Sequence, residues 1–265
     1  MTRTPDTTDD AVATRPPTEA RGSAAESTKA TMLEHALDKA VRIPSGTIHK
    51  HVDALRARNP EAGPERIIAL LGKEYLRVLE AAGGSVGAAA TLPVIGTGVG
   101  VALTGADMAT FFAASAAYSL GVADVHGIEV EDLDRRRALL LASVLGDEGA
   151  AAVAKAGNDP TSWGRALLAY MPTSTIRQVN KALTGRFVRR YLMRRSGMML
   201  GRLLPFGVGA VVGVLGGRAL GKTVIAQTQE AFGLPPSEFG VPVRVVETGG
   251  RPSLVAGDKR AEVHP

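Results

Sequence analysis

Apolar residues recur at helical spacing along most of the chain. Met32, Leu33, Ala36, Leu37 and Ala40 form the stripe of an amphipathic helix over residues 28–42. Pro44-Ser45-Gly46 ends that helix, and Ser45 or Thr47 can cap a second one carrying Ile48, Val52 and Leu55. Asn59-Pro60 and Gly63-Pro64 break the pattern again. Pro64 suits the first turn of a third helix, whose apolar face is Ile67, Ile68, Leu71, Tyr75 and Leu79.

The pattern changes at the centre. Residues 81–123 hold a single charged side chain, Asp107, and Pro93 with the surrounding glycines divides this stretch into two or three apolar helices rather than one span. An acidic turn follows over 124–134, with Asp124, Glu129, Glu131, Asp132 and Asp134. The helix expected over 130–145 begins on these acids, where its dipole favours negative charge. Residues 160–229 then carry eleven Lys and Arg and no Asp or Glu, and include a second Gly-rich apolar segment at 203–217. A helix is expected to run on to Phe232, where Gly233-Leu234-Pro235-Pro236 stops it.

The ends read differently. Residues 1–27 lack the apolar periodicity that would offset ordering entropy, so a disordered tail is expected there. Residues 233–265 read as a loose C-terminal tail with one strand-like segment, VPVRVVE at 241–247. The whole predicts an all-α fold, a helical bundle over 28–232 with Gly/Ala-rich close-packed apolar helices between two tails.

Composition sharpens this. Aromatic residues make up only 4% of the chain, so its apolar content is small side chains suited to close helix packing. With no cysteine, disulfides, thiolate nucleophiles and Cys-based zinc sites are excluded. The N-terminus has no apolar core region and carries Asp6, Asp9 and Asp10, which does not fit a signal peptide. The formal net charge of +5 is concentrated in the polybasic stretch and points to an anionic partner.

Glycines at 209, 213, 217 and 221 recur every four residues and so share one helix stripe. Gly96 and Gly100 repeat the spacing in the centre. Each helix-interior glycine costs about 1 kcal/mol against alanine, which close approach of another helix would offset. These six glycines are the expected helix-packing positions. Residues 203–217 are short of the roughly 20 that a span needs. The clustered bases beside them, Arg186, Arg189, Arg190, Arg194, Arg195 and Arg202, suit contact with anionic lipid on the cytoplasmic side of the cell membrane.

Three stretches together resemble the EcsC family, a bacterial group. They are LPVIGTGVGVALTGADMATFFAASAAYSLGV, the acidic turn with RRRALLLASVLG, and LLPFGVGAVVGVLGGRALGKTVIAQTQEAF. The resemblance covers roughly residues 35–232, with Asp107, Pro205, Gly209 and Phe232 falling on the family's pattern. It implies a helical, membrane-linked protein with a connection to transport or secretion. It brings no catalytic residues.

Chemistry-bearing patterns are few. Residues 216–223 satisfy G-x-x-x-x-G-K-[ST], which would place Gly216, Gly221, Lys222 and Thr223 around a nucleotide phosphate. Too little chain follows for a nucleotide-binding domain, and the neighbouring segments read as helices. His49 and His51, two apart, fall on different sides of a helix, and no metal site is expected. Asp107, an acid among apolar helices, is the candidate functional acid. Phe187 and Tyr191 interleave the bases too sparsely for a nucleic-acid platform. The reading is a non-catalytic protein without cofactor, whose expected partner is an anionic membrane surface or a membrane protein, with self-association open. A soluble cytoplasmic bundle that binds a partner is the alternative, and a nucleotide-binding protein the second.

Overall fold

The computed structural model describes the backbone of residues 31–89, 97–157, 162–197, 208–240, 243–248 and 251–256, and the side chains of 31–83, 108–157, 162–190 and 215–240. The expected N-terminal tail, 1–27, lies outside these residues.

The chain folds as an all-α helical bundle. Helix α1 (31–41) buries Leu33, Ala36, Leu37 and Ala40 and leaves Met32 exposed. Pro44 takes the extended conformation ahead of α2 (Ser45–Arg58), which buries Ile48, Val52 and Leu55. Helix α3 (Pro64–Ala89) starts on its proline and buries Ile67, Ile68, Leu71, Tyr75 and Leu79. The central apolar stretch is thus divided between the end of α3 and one long helix, α4 (Thr97–Val125).

Helix α5 (Leu133–Leu145) is the inner helix. Asp132 caps it, accepting from the Arg135 amide at 2.7 Å, and its residues from Ala138 to Ala142 are all buried. Helices α6 (Asp147–Gly157) and α7 (Trp163–Arg165) follow, the latter running straight into a π-turn (Ala166–Tyr170). The long helices α8 (Thr173–Gly197) and α9 (Val208–Phe232) complete the bundle.

Three consecutive arginines fasten α5 to its surroundings. Arg135, fully buried, donates to the carbonyls of Leu167 and Leu168 at 2.8 and 3.1 Å and of Met171 at 2.9 Å, so it closes the π-turn. Arg136, also buried, donates to Val130 at 2.7 Å and to Val41 at 3.0 Å, and bonds the Ile43 carbonyl and Ser45 hydroxyl as well. It thereby holds the end of α1. Arg137 pairs with Asp38 at 2.7 Å. A buried guanidinium is expensive, and carbonyl bonds to a charged donor return roughly 1.5–3 kcal/mol each. Several per arginine make the arrangement tenable.

A small sheet stands beside the helices. Strand β1 (Ile128–Glu129) pairs in parallel with β2 (Val243–Thr248), Ile128 opposite Val243. Strand β2 pairs antiparallel with β3 (Arg251–Ala256), from Val243 opposite Ala256 to Thr248 opposite Arg251. Pro252 is accommodated because β3 is an edge strand. This corrects the reading of 233–265 as a loose tail. The strand-like segment at 241–247 is part of a hairpin whose strands are separated by Gly249-Gly250, a pair favoured in two-residue hairpin connections.

Candidate functional site

The polybasic stretch falls on α8, and its cations divide into two sets. Three of them lie near acids, the largely exposed Arg177 among them. Arg177 lies 3.9 Å from Asp134, Arg186 and Arg190 each lie 3.9 Å from Glu148, and Arg190 also donates to the Leu145 carbonyl at 2.9 Å. Arg186 and Arg190 therefore join α8 to α5 and α6 as much as they offer charge outward. Lys181 and Arg189 are exposed and, among the described residues, have no ion-pair partner. With Gln178, Ala182, Gly185 and Arg186 they line an open depression of about 700 Å³. Arg194 and Arg195 lie further along α8 with side chains outside the described residues, as does all of Arg202.

The register between helices fixes which ends lie together. An added Cβ on Gly217 would stand 3.1 Å from the Leu79 carbonyl oxygen, and one on Gly221 2.8 Å from methyl carbons of Leu76 and Leu79. One on Gly72 would stand 3.5 Å from Ile225 Cδ1. Rising numbers on α9 thus meet falling numbers on α3, so the pair is antiparallel. A Cβ at Gly217 would press on the α3 backbone itself, whereas one at Gly221 would meet the flexible ends of two leucines. Helix α4 is antiparallel to α3 as well, since Tyr75 bonds Ser115 at 2.8 Å while Leu71 packs against Gly121. Helix α8 runs alongside α5, with Asn180 bonding the Asp134 carbonyl and Arg190 the Leu145 carbonyl. The C-terminal end of α3 and the N-terminal ends of α4 and α9 therefore emerge together, and α8 climbs toward them. Val78, Leu215 and Leu220 are exposed on the last described turns of that region. Gly100, Gly209 and Gly213 belong to these helix ends with their surroundings outside the described residues, as are all of Gly96 and the side chain of Asp107.

Below this end the bundle interior is stitched by hydroxyls. Ser119 and Thr228 lie 3.1 Å apart, and Thr228 donates to Ser143 at 3.4 Å, so α4, α9 and α5 share one chain of bonds. The Tyr75 and Tyr118 rings stack with centroids 5.2 Å apart. Burial holds both phenols well above their ordinary range, and at Tyr118 the neighbouring Tyr75 adds to it. The buried hydroxyls of Tyr75 and Ser115, and of Ser119, Thr228 and Ser143, bond to one another across helices, which suits helix registration.

Two histidines of α2 pair with acids. His49 reaches two carboxylates, Asp124 through Nδ1 at 3.0 Å and Asp53 through Nε2 at 3.2 Å, and His51 reaches Glu74 at 2.9 Å. Burial raises the Asp124 carboxyl above its ordinary value, opposed by His49. Both imidazole nitrogens of His49 are occupied, so it has no face for a nucleophile. Among the described residues, no three His, Cys, Asp or Glu side chains gather as a metal cage.

The phosphate-loop pattern is overturned by backbone conformation. Residues 216–223 lie wholly inside α9, so their amides serve the helix and cannot cradle a phosphate. Thr223 turns its hydroxyl back to the Ala219 carbonyl at 3.3 Å, and Gly221 is spent on the approach to α3. No protein family, curated protein or solved structure matches the chain.

Proposed function

We propose that the protein is a non-catalytic, membrane-associated helical protein that acts by lipid or protein contact at an anionic, cytoplasmic membrane face. We further propose that its EcsC-like segments reflect kinship with that family. The observation that carries the reading is the shared end of the bundle. Uncharged, Gly-rich ends of α3, α4 and α9 come together there, and α8 runs toward the same end with Arg189 exposed and Arg194 and Arg195 beyond it in the chain. Apolar surface beside clustered Lys and Arg is the chemistry that an anionic bilayer complements, at about 1 kcal/mol per cation.

A second reading is favoured by one observation. The window Met108–Val125 is long and apolar enough to cross a membrane, yet 56% of it is buried inside the bundle. That is also how the core helix of a soluble partner-binding bundle looks. Flotation of the purified protein with vesicles separates the two. Recovery with phosphatidylglycerol vesicles but not with phosphatidylcholine vesicles supports the membrane reading. Failure to float with either leaves the soluble bundle.

A further inference from the structure

We infer that the outer face of α8 docks an acidic helix of a partner protein; this does not rest on the membrane reading above. Helix α8 carries no Asp or Glu of its own. The acids near it come from α5 and α6, where Asp134 takes Arg177 and Glu148 takes Arg186 and Arg190. Lys181 and Arg189 are left exposed, without an ion-pair partner among the described residues. Their charge is open to a partner of opposite sign.

The two cations share one outward stripe. Gln178, Lys181, Ala182, Gly185 and Arg189 are all exposed and recur at helical spacing. With Arg186 they line the open depression of about 700 Å³. Its middle is made of the small residues Ala182 and Gly185, and an added Cβ on Gly185 meets nothing within 4 Å. Lys181 and Arg189 stand toward its two ends, roughly 12 Å apart along the helix axis.

These dimensions select the occupant. A single phosphate or carboxylate does not span roughly 12 Å, so a small anion meets one end only. A second helix laid along α8 has the same rise per residue, and two acids two turns apart on it fall opposite the two cations. Small residues between them let its backbone come close. Phe187 packs against Phe112 with ring centroids 5.5 Å apart, so it offers no stacking face to a nucleic-acid base. The lining has no large apolar side chain, which gives an acyl chain nothing to bury against.

The test uses the full-length protein and a fluorescent alanine-based helical peptide with glutamates two turns apart on one face. A second peptide has its glutamates crowded into one turn, and a third has lysines in their place. Anisotropy titrations are expected to show the first peptide bound about tenfold more tightly than the second. Lys181→Glu with Arg189→Glu is expected to lose about tenfold for the first peptide and to take up the lysine peptide instead. Lys50→Glu with Lys73→Glu changes two other exposed lysines and the net charge equally, and should bind as the native chain does. Gly185→Leu fills the open middle without a clash, so it should keep its helical circular dichroism and lose about tenfold in affinity. Equal losses in the two double variants would mean attraction to net charge and overturn the inference. Undiminished binding by Gly185→Leu, or no binding of the first peptide at low salt, would overturn it as well. Displacement of the bound peptide by lower concentrations of phosphatidylglycerol vesicles or duplex RNA would assign the face to lipid or nucleic acid instead. The membrane reading stands or falls separately, by flotation.

Discussion

The guanidinium of Arg135, without solvent exposure, donates to the carbonyl oxygen of Met171 at 2.9 Å and to those of Leu167 and Leu168 just before it. A planar fork reaches three carbonyls of one turn, and an ammonium does not. Arg135→Lys is expected to leave buried acceptors unpaired and to lower stability by about 3 kcal/mol. Urea unfolding followed by circular dichroism measures it. A loss below about 0.5 kcal/mol would show that the π-turn does not depend on this side chain.

Two glycines separate close packing from mere flexibility. A Cβ on Gly149 would stand 2.3 Å from the Ala142 carbonyl oxygen and 2.7 Å from its Cα, a clash with backbone that only moving α6 away from α5 relieves. One on Gly185 meets nothing within 4 Å. Gly149→Ala is expected to destabilise by about 3 kcal/mol, in the range of severe overpacking. Gly185→Ala, inside α8, is expected to stabilise by about 1 kcal/mol through helix propensity. Thermal melts of the two variants should shift in opposite directions.

His126 gives stability a pH dependence of known sign. Its Nδ1 donates to the Val122 carbonyl at 2.9 Å and its ring lies 5.2 Å from that of Phe232. Burial is the main cause that lowers its pKa below 6.5, with Arg165 adding to it. The folded state then holds fewer protons than the unfolded state. The contribution is present above pH 6.5 and is lost as pH falls through the depressed folded value. His126→Asn retains a donor toward Val122 and does not titrate. Denaturation midpoints measured down from neutral pH should fall less steeply for this variant than for the native chain.

Much of the helical framework is legible in the sequence because burial there follows the 3.6-residue period. Leu33, Leu37, Ile48, Val52, Leu55, Ile67, Leu71, Tyr75 and Leu79 sit where periodicity puts them. The arginines of α5 are not legible in this way. Arg135 and Arg136 look like a charged face, and only the carbonyls brought from α1 and the π-turn make their burial possible. Sequence spacing also points Arg186, Arg189 and Arg190 alike toward solvent, whereas Glu148 on α6 draws two of them inward. Asp53, four residues after His49, is an available local signal, but Asp124 reaches the same ring only through the fold. The phosphate-loop pattern misleads because a glycine ladder inside a helix reproduces its spacing by accident.

Removing the two exposed cations of α8 tests the membrane reading without touching the pairs that hold the helix. Arg189→Ala, alone or together with Lys181→Ala, is expected to weaken binding to phosphatidylglycerol vesicles by about 1 kcal/mol, roughly fivefold, because Lys181 stands beside Asn180 at the far end of the bundle. Raising the salt concentration should shrink the difference. Equal binding of the variant and native proteins at low salt would exclude this face from lipid contact.

The parallel pairing of Ile128 with Val243 bears on the order in which the molecule is made. Strand β1 leaves the ribosome in the middle of synthesis, and its partner emerges only after five further helices. Until then the junction between α4 and α5 has no strand beside it, and the bundle holds that turn through bonds such as those from Arg136 and Ser45 to the Val130 carbonyl. Non-local pairing of this kind is slow to form and comes late. A nascent chain arrested before Val243 would be expected to carry its helices assembled and this seam still open.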